Sequence, residues 1–175
     1  MNFIKSAFII LLATVTLSAC NKAGDAKTYN DQIINYQAPV IEKMLALSKA
    51  IESTDSAAMY TKLGELDKQI DVSMKGLNDM KPFEGGEQLK TAMMDAFSFY
   101  KNITNNEYKR IIEILTQPAD SMSVEDYAEL TKMGDDITKQ EVAIDDKVAK
   151  AQSEFAKANH IELTDNELQK KIDAK

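Results

Sequence analysis

The sequence contains no tryptophan, one histidine and one cysteine among its 175 residues. A single cysteine excludes an intrachain disulfide, so outside a reducing compartment the fold must be held by its core. The lone histidine, His160, removes most of the metal and haem chemistry open to a helical protein. A di-iron bundle needs Glu-x-x-His on two helices, and the residue three before His160 is Lys157. The Cys-x-x-Cys-His attachment of a c-type haem is absent. Nucleophilic catalysis lacks a Gly-x-Ser-x-Gly elbow, a second cysteine and a second histidine base. No glycine-rich phosphate loop occurs, because Gly85-Gly86 follows a helical stretch rather than a strand. Basic residues are outnumbered, 21 against 28 acidic, for a formal charge of −7. A polyanion is a poor partner for nucleic acid and for anionic lipid headgroups. No sustained two-residue alternation appears, so the chain is not expected to build on a sheet.

What is present begins with a leader. Lys5 precedes an apolar run, Ala7 to Ala13, which is too short for a bilayer span of about 20 residues. Small residues and a polar stretch follow, the pattern of a secretory signal peptide. Leu17-Ser18-Ala19-Cys20 resembles the lipobox of bacterial lipoproteins. That resemblance implies cleavage between Ala19 and Cys20, removal of residues 1–19, and a lipid-modified Cys20 as the first residue. The membrane contact is then the lipid itself. Each buried CH₂ contributes about 0.8 kcal/mol, so stable anchoring needs more than one acyl chain, and such cysteines are typically multiply acylated. Loss of Lys5 with the leader leaves 21 − 1 basic residues against 28 acidic ones, a formal charge of −8. Asn21, not Asp, follows the cysteine. By resemblance to the sorting rule of enteric bacteria, that favours the outer membrane of a Gram-negative envelope.

Residues 20–27 carry no apolar periodicity and read as a flexible tether. Apolar positions then recur at helical spacing. The first stripe is Tyr29, Ile33, Tyr36, Val40, Met44, Leu47 and Ile51, with Pro39 inside it predicting a kink or a break. Ser53-Thr54-Asp55-Ser56 marks a turn of capping residues. The second stripe is Met59, Leu63, Leu66, Ile70, Leu77 and Met80, with Gly64 and Gly76 each weakening the helix by about 1 kcal/mol or allowing close contact. Lys81 to Gly86 is the clearest breaker. The third stripe is Leu89, Met93, Phe97, Tyr100, Ile103, Tyr108, Ile111 and Leu115, and Thr116-Gln117-Pro118 ends it. Ser123 to Asp126 is a capping-box-like start for a fourth helix to about Asn159. Tyr127, Leu130, Ile137, Ile144, Val148, Ala151 and Phe155 fill its inward face, with Gly134 and Glu141 in the gaps. The expected fold is all-α: an antiparallel up-down-up-down four-helix bundle over residues 28–160. A C-terminal tail, 161–175, has Thr164 or Asp165 to cap one more short helix.

The candidate sites read modestly. His160 sits at a helix end, where histidine commonly serves the last carbonyls and the dipole. Methionines on core stripes fill gaps, and Met93, Met94 and Met133 are the only hint of an apolar groove. Asp135-Asp136 and Asp145-Asp146 are read as a solvated acidic face. Asp55-Ser56-Ala57 and Asp120-Ser121-Met122 resemble the acidic-hydroxyl acceptor sites for O-glycans in some Bacteroidetes envelope proteins, although capping explains the same residues. No catalytic, cofactor or metal residue is assigned, and no enzyme activity is expected. Ala149-Lys150-Ala151-Gln152-Ser153-Glu154-Phe155-Ala156-Lys157, closing a long helix, resembles the small helical surface lipoproteins of Gram-negative bacteria. The function expected is a non-catalytic, lipid-anchored envelope protein that binds an unidentified protein or serves as a structural element. The alternative is a bundle that binds a small ligand or a cofactor such as haem.

Overall fold

The computed structural model describes residues 13–16 and 21–165. Four rods run up and down in an antiparallel bundle, and the fold is all-α as expected. Ala19 and Cys20, where cleavage and lipidation are expected, lie outside the described residues.

The first rod, α1, is Asn21–Glu52. It is already helical at Asn21, the first described residue after Cys20, which overturns the tether expected over 20–27. Ala23 and Ala26 are buried and join the core. Alanine is the best helix former, and its small side chain needs little room. Lys22 also pairs with Glu84 at 3.1 Å. Thr28 donates its Oγ1 to the Gly24 carbonyl at 2.9 Å within the helix. Pro39 does not break α1. A mid-helix proline costs about 3 kcal/mol; burial of Ile33, Val40, Ile41 and Met44 on both sides of it outweighs that local cost.

The second rod, α2 (Ser56–Asp79), opens on Asp55, whose carboxylate accepts from the Ala58 amide at 2.9 Å. It packs most extensively on α1. Gly76 makes that approach possible, because a Cβ there would lie 2.2 Å from the Tyr36 ring. Gly85, with φ +79°, turns the chain after α2. Lys90 donates to the carbonyls of Asn78 and Met80 at 2.9 and 3.1 Å, tying the end of α2 to the next helix.

The third rod is α3 (Glu87–Ile103), a π-helical turn (Thr104–Tyr108) and α4 (Lys109–Leu115) in series. A 3₁₀ turn, Ala119–Ser121, leads to the last rod, α5 (Val124–Ala158). Ser123 and Asp126 close the expected capping box in full. Tyr127, placed on the inward face by its spacing, is instead 46% exposed, as it lies in the first turn of α5 at the end of the bundle. Asn159, His160 and Ile161 finish α5 in a Schellman arrangement. The Ile161 amide bonds the Ala156 carbonyl at 3.0 Å, that of His160 bonds Lys157 at 3.4 Å, and His160 takes φ +53°.

Tyr29, Phe83 and Phe155 close the end of the bundle near the start of α1, with ring centroids 5.2 to 5.7 Å apart. Beyond it, β1 (Ala13–Thr16) pairs antiparallel with β2 (Glu162–Asp165), Ala13 opposite Asp165. The start of the tail is therefore a strand that follows the buried Ile161; the short helix that Thr164 or Asp165 would cap falls on residues 166–175, which lie outside the described set. Val15, within the expected leader, stands opposite Leu163 in the register, and Leu163 packs on the core.

Candidate functional site

The interior is apolar over most of its length, and its exceptions cluster by level. Near the closed end, Gln152 of α5 donates to Asn30 of α1 at 2.9 Å. One heptad on along α1 and one heptad back along α5 stand Gln37 and Asp145. Antiparallel packing brings that pair to a common level. Gln37 is fully buried, and neither atom of its amide meets a partner among the described residues.

Glu141 and Asp145 lie one turn apart on α5, so their carboxyls share one face. Glu141 is 4% exposed, and Asp145 is half-buried. Glu141 Oε1 and Asp145 Oδ1 are buried without hydrogen-bond partners among the described residues. Burial, with the Asp145 charge beside it, pushes Glu141 up to about 8. Burial, with Asp146 next to it, pushes Asp145 up to about 7. Near neutral pH Glu141 therefore holds its proton, and Asp145 holds one about half of the time.

The third rod supplies the opposite wall. Tyr100, at the end of α3, is pushed well above its ordinary range by burial and then by Asp145, Glu141 and Tyr108. Tyr108, which closes the π turn, is raised by burial and by Glu141. Between them Thr104 is 1% exposed, with its hydroxyl unpartnered among the described residues. A π turn inserts one extra residue into a helix and often marks a functional position. Here it lets both tyrosines of the rod face the acidic side of α5.

The layer can store protons and orient polar groups. Its cations are engaged elsewhere: Lys147 with Asp95, and Lys101 with Asp67 and Asp71. Among the described residues, no three His, Cys, Asp or Glu side chains are placed to hold a metal ion.

Other sequence candidates fall outside this layer. His160 is exposed at the end of α5 in its left-handed cap, away from the interior. Met93 is fully buried, and Met94 and Met133 pack on the core, so the three fill space rather than leave a groove. Asp135 and Asp136 are exposed, as a solvated face requires, and Asp136 pairs with Lys132. Asp145 departs from that reading because Glu141, one turn before it, faces the core. Ser56 and Ser121 are both exposed at the end of the bundle far from Asn21, and Ser121 donates to the Pro118 carbonyl at 2.7 Å. Gln37 and Thr104 escaped the sequence reading, since a buried polar residue leaves no apolar signal.

A surface groove of about 350 Å³ runs between the start of α3 and the end of α5. Ala92 and Ala151 form its floor, with Glu87, Thr91, Lys150 and Glu154 on its rims. No helix among the described residues is long and apolar enough to cross a membrane. No family model, curated protein or solved structure matches the chain.

Proposed function

We propose that this chain is a non-catalytic, lipid-anchored protein of a Gram-negative cell envelope, attached through Cys20 and working as a rigid spacer for protein contact. The observation that carries the reading is the helical start at Asn21, directly after the expected anchor. With no tether between them, the 32 residues of α1 set the far end about 48 Å from the lipid at 1.5 Å per residue. That far end carries Tyr60, Val124 and Tyr127 at 48, 80 and 46% exposure. Tyr60 lies against the end of α4, with its hydroxyl 3.4 Å from Thr116. Aromatic side chains are favoured anchors in protein interfaces. The outer-membrane assignment rests on the sequence alone.

Two measurements test this. Labelled palmitate enters the wild-type chain and not Cys20→Ser, which leaves the membrane fraction. A photo-crosslinker at Tyr60 or Tyr127 captures a defined protein in the native envelope, whereas one at Val72 or Val142, on the flanks, does not. Equal capture at all four positions removes the spacer reading.

The mid-bundle polar layer favours a second reading, in which a small polar ligand sits between the helices. A haem held through His160 draws no support from the exposed, left-handed position of that residue. A Soret band lost on His160→Ala would restore it.

A further inference from the structure

We propose that Glu141 and Asp145, walled by Tyr100, Thr104, Tyr108 and Gln37, form a proton-operated latch that holds α5 in the bundle and loosens it as the two carboxyls ionise. The latch rests on the layer's geometry. Two carboxyls one turn apart on a buried face repel when both are charged. A protonated carboxyl both donates and accepts, so it suits a layer whose other polar groups, the Thr104 hydroxyl and the Gln37 amide, are uncharged. An ionised one can only accept.

Among the described residues, no charge on the surrounding elements compensates that ionisation. On α5 itself the nearest charges are Lys139 and Asp146, both exposed, and Lys147, held by Asp95. From α3 the facing group is Tyr100, and from the π turn it is Tyr108; Glu107 of that turn has its Oε2 buried without a partner among the described residues. The buried polar residues of α1 are Asn30, Gln37 and Ser48, and that of α2 is Ser73, all uncharged. Arg110 of α4 is engaged by Glu129, and Glu162 of β2 lies beyond the far end of α5. The proton is the neutralising species that the layer itself provides for.

The sign follows from the displaced ionisations. Glu141 moves from 4.5 to about 8, and Asp145 from 3.8 to about 7. Folding takes up protons, so the stabilisation is full below the ordinary carboxylate values and is lost as pH rises through about 7 to 8. Carboxyls held low by partners, such as Glu65, Asp79 and Glu129, lose their contribution only in acid. The raised lysines Lys75 and Lys132 lose theirs only above 10.5. The interval from pH 6 to 9 thus isolates the latch.

Urea unfolding of the full chain, followed by circular dichroism at pH 6, 7.5 and 9, tests it. The wild-type unfolding constant rises from pH 6 to pH 9 by up to about 100-fold through Glu141 and about tenfold through Asp145. Glu141→Gln and Asp145→Asn each shrink that rise, and the double variant abolishes it. A wild-type change under about threefold overturns the latch, and so does a double variant that keeps the full rise. Should the variants fail to fold, carbon-13 titration of the wild-type carboxyls decides. Two resonances moving between pH 6 and 9 support the latch; every carboxyl titrating below pH 5 overturns it. If magnesium or calcium chloride removes the rise, the layer is a cation site and the proton reading falls.

Discussion

Gly64 and Gly76 lie on the same helix, and alanine should have opposite effects at the two. A Cβ at position 64 meets nothing within 4 Å. Gly64→Ala therefore gains the helix propensity that glycine forfeits, about 1 kcal/mol. A Cβ at position 76 would lie 2.2, 2.8 and 2.8 Å from three ring atoms of Tyr36. Contacts that short force the ring out of its half-buried seat between α1 and α2. Overpacking of this kind costs about 1–3 kcal/mol, which cancels or exceeds the same propensity gain. The two variants should thus differ by about 1–3 kcal/mol, or roughly 2–12 °C in Tm for a domain of this size. Urea denaturation at 222 nm measures the first and a thermal scan the second. Tyr36→Ala supplies the control: in its background Gly76→Ala should regain the full propensity benefit, giving a coupling of about 1 kcal/mol or more in a double-mutant cycle. If Gly76→Ala stabilises the wild type as much as Gly64→Ala does, the close α1–α2 approach is wrong.

Two further outcomes probe the ends of α5. Phe155→Ala opens the ring cluster with Tyr29 and Phe83 and should cost about 3–5 kcal/mol by urea denaturation, with near-ultraviolet dichroism reporting the loss of tyrosine packing. Ser123→Ala removes the acceptor for the Asp126 amide, 3.1 Å away, and should cost about 1 kcal/mol. Faster hydrogen exchange confined to the first turn of α5 would accompany it.

Much of this architecture was legible because large apolar side chains announce themselves by spacing. Ile33, Val40, Leu66, Ile70, Phe97 and Val148 stand in the core where their stripes put them. Asp55 and Ser123 start helices because carboxylate and hydroxyl oxygens bind free amides there. The helical start at Asn21 was not legible, since Ala23 and Ala26 bury by being small rather than by being strongly apolar. The polar layer was half legible. Glu141 stood in a gap of the inward stripe, yet Asp145, one turn further on, was read with its charged neighbour Asp146 as surface. Gln37 gave no sign, because only three-dimensional packing removes an amide from water. The step of five residues from Ile103 to Tyr108 was visible in the sequence, and it is where the π turn falls.

That turn divides the third rod into two phases. One added residue advances the helix by about 100°, so everything past Tyr108 is rotated relative to the direction in which α3 points. Ile111, Ile112 and Ile114 reach the interior through this offset. Excising a single residue from Thr104–Tyr108 would leave Leu89 to Tyr100 where they are and swing the isoleucines toward water. The distal half of the molecule therefore depends on a phase set at mid-span, and a one-residue deletion there should disorganise the remote tip before it disturbs the end beside Asn21.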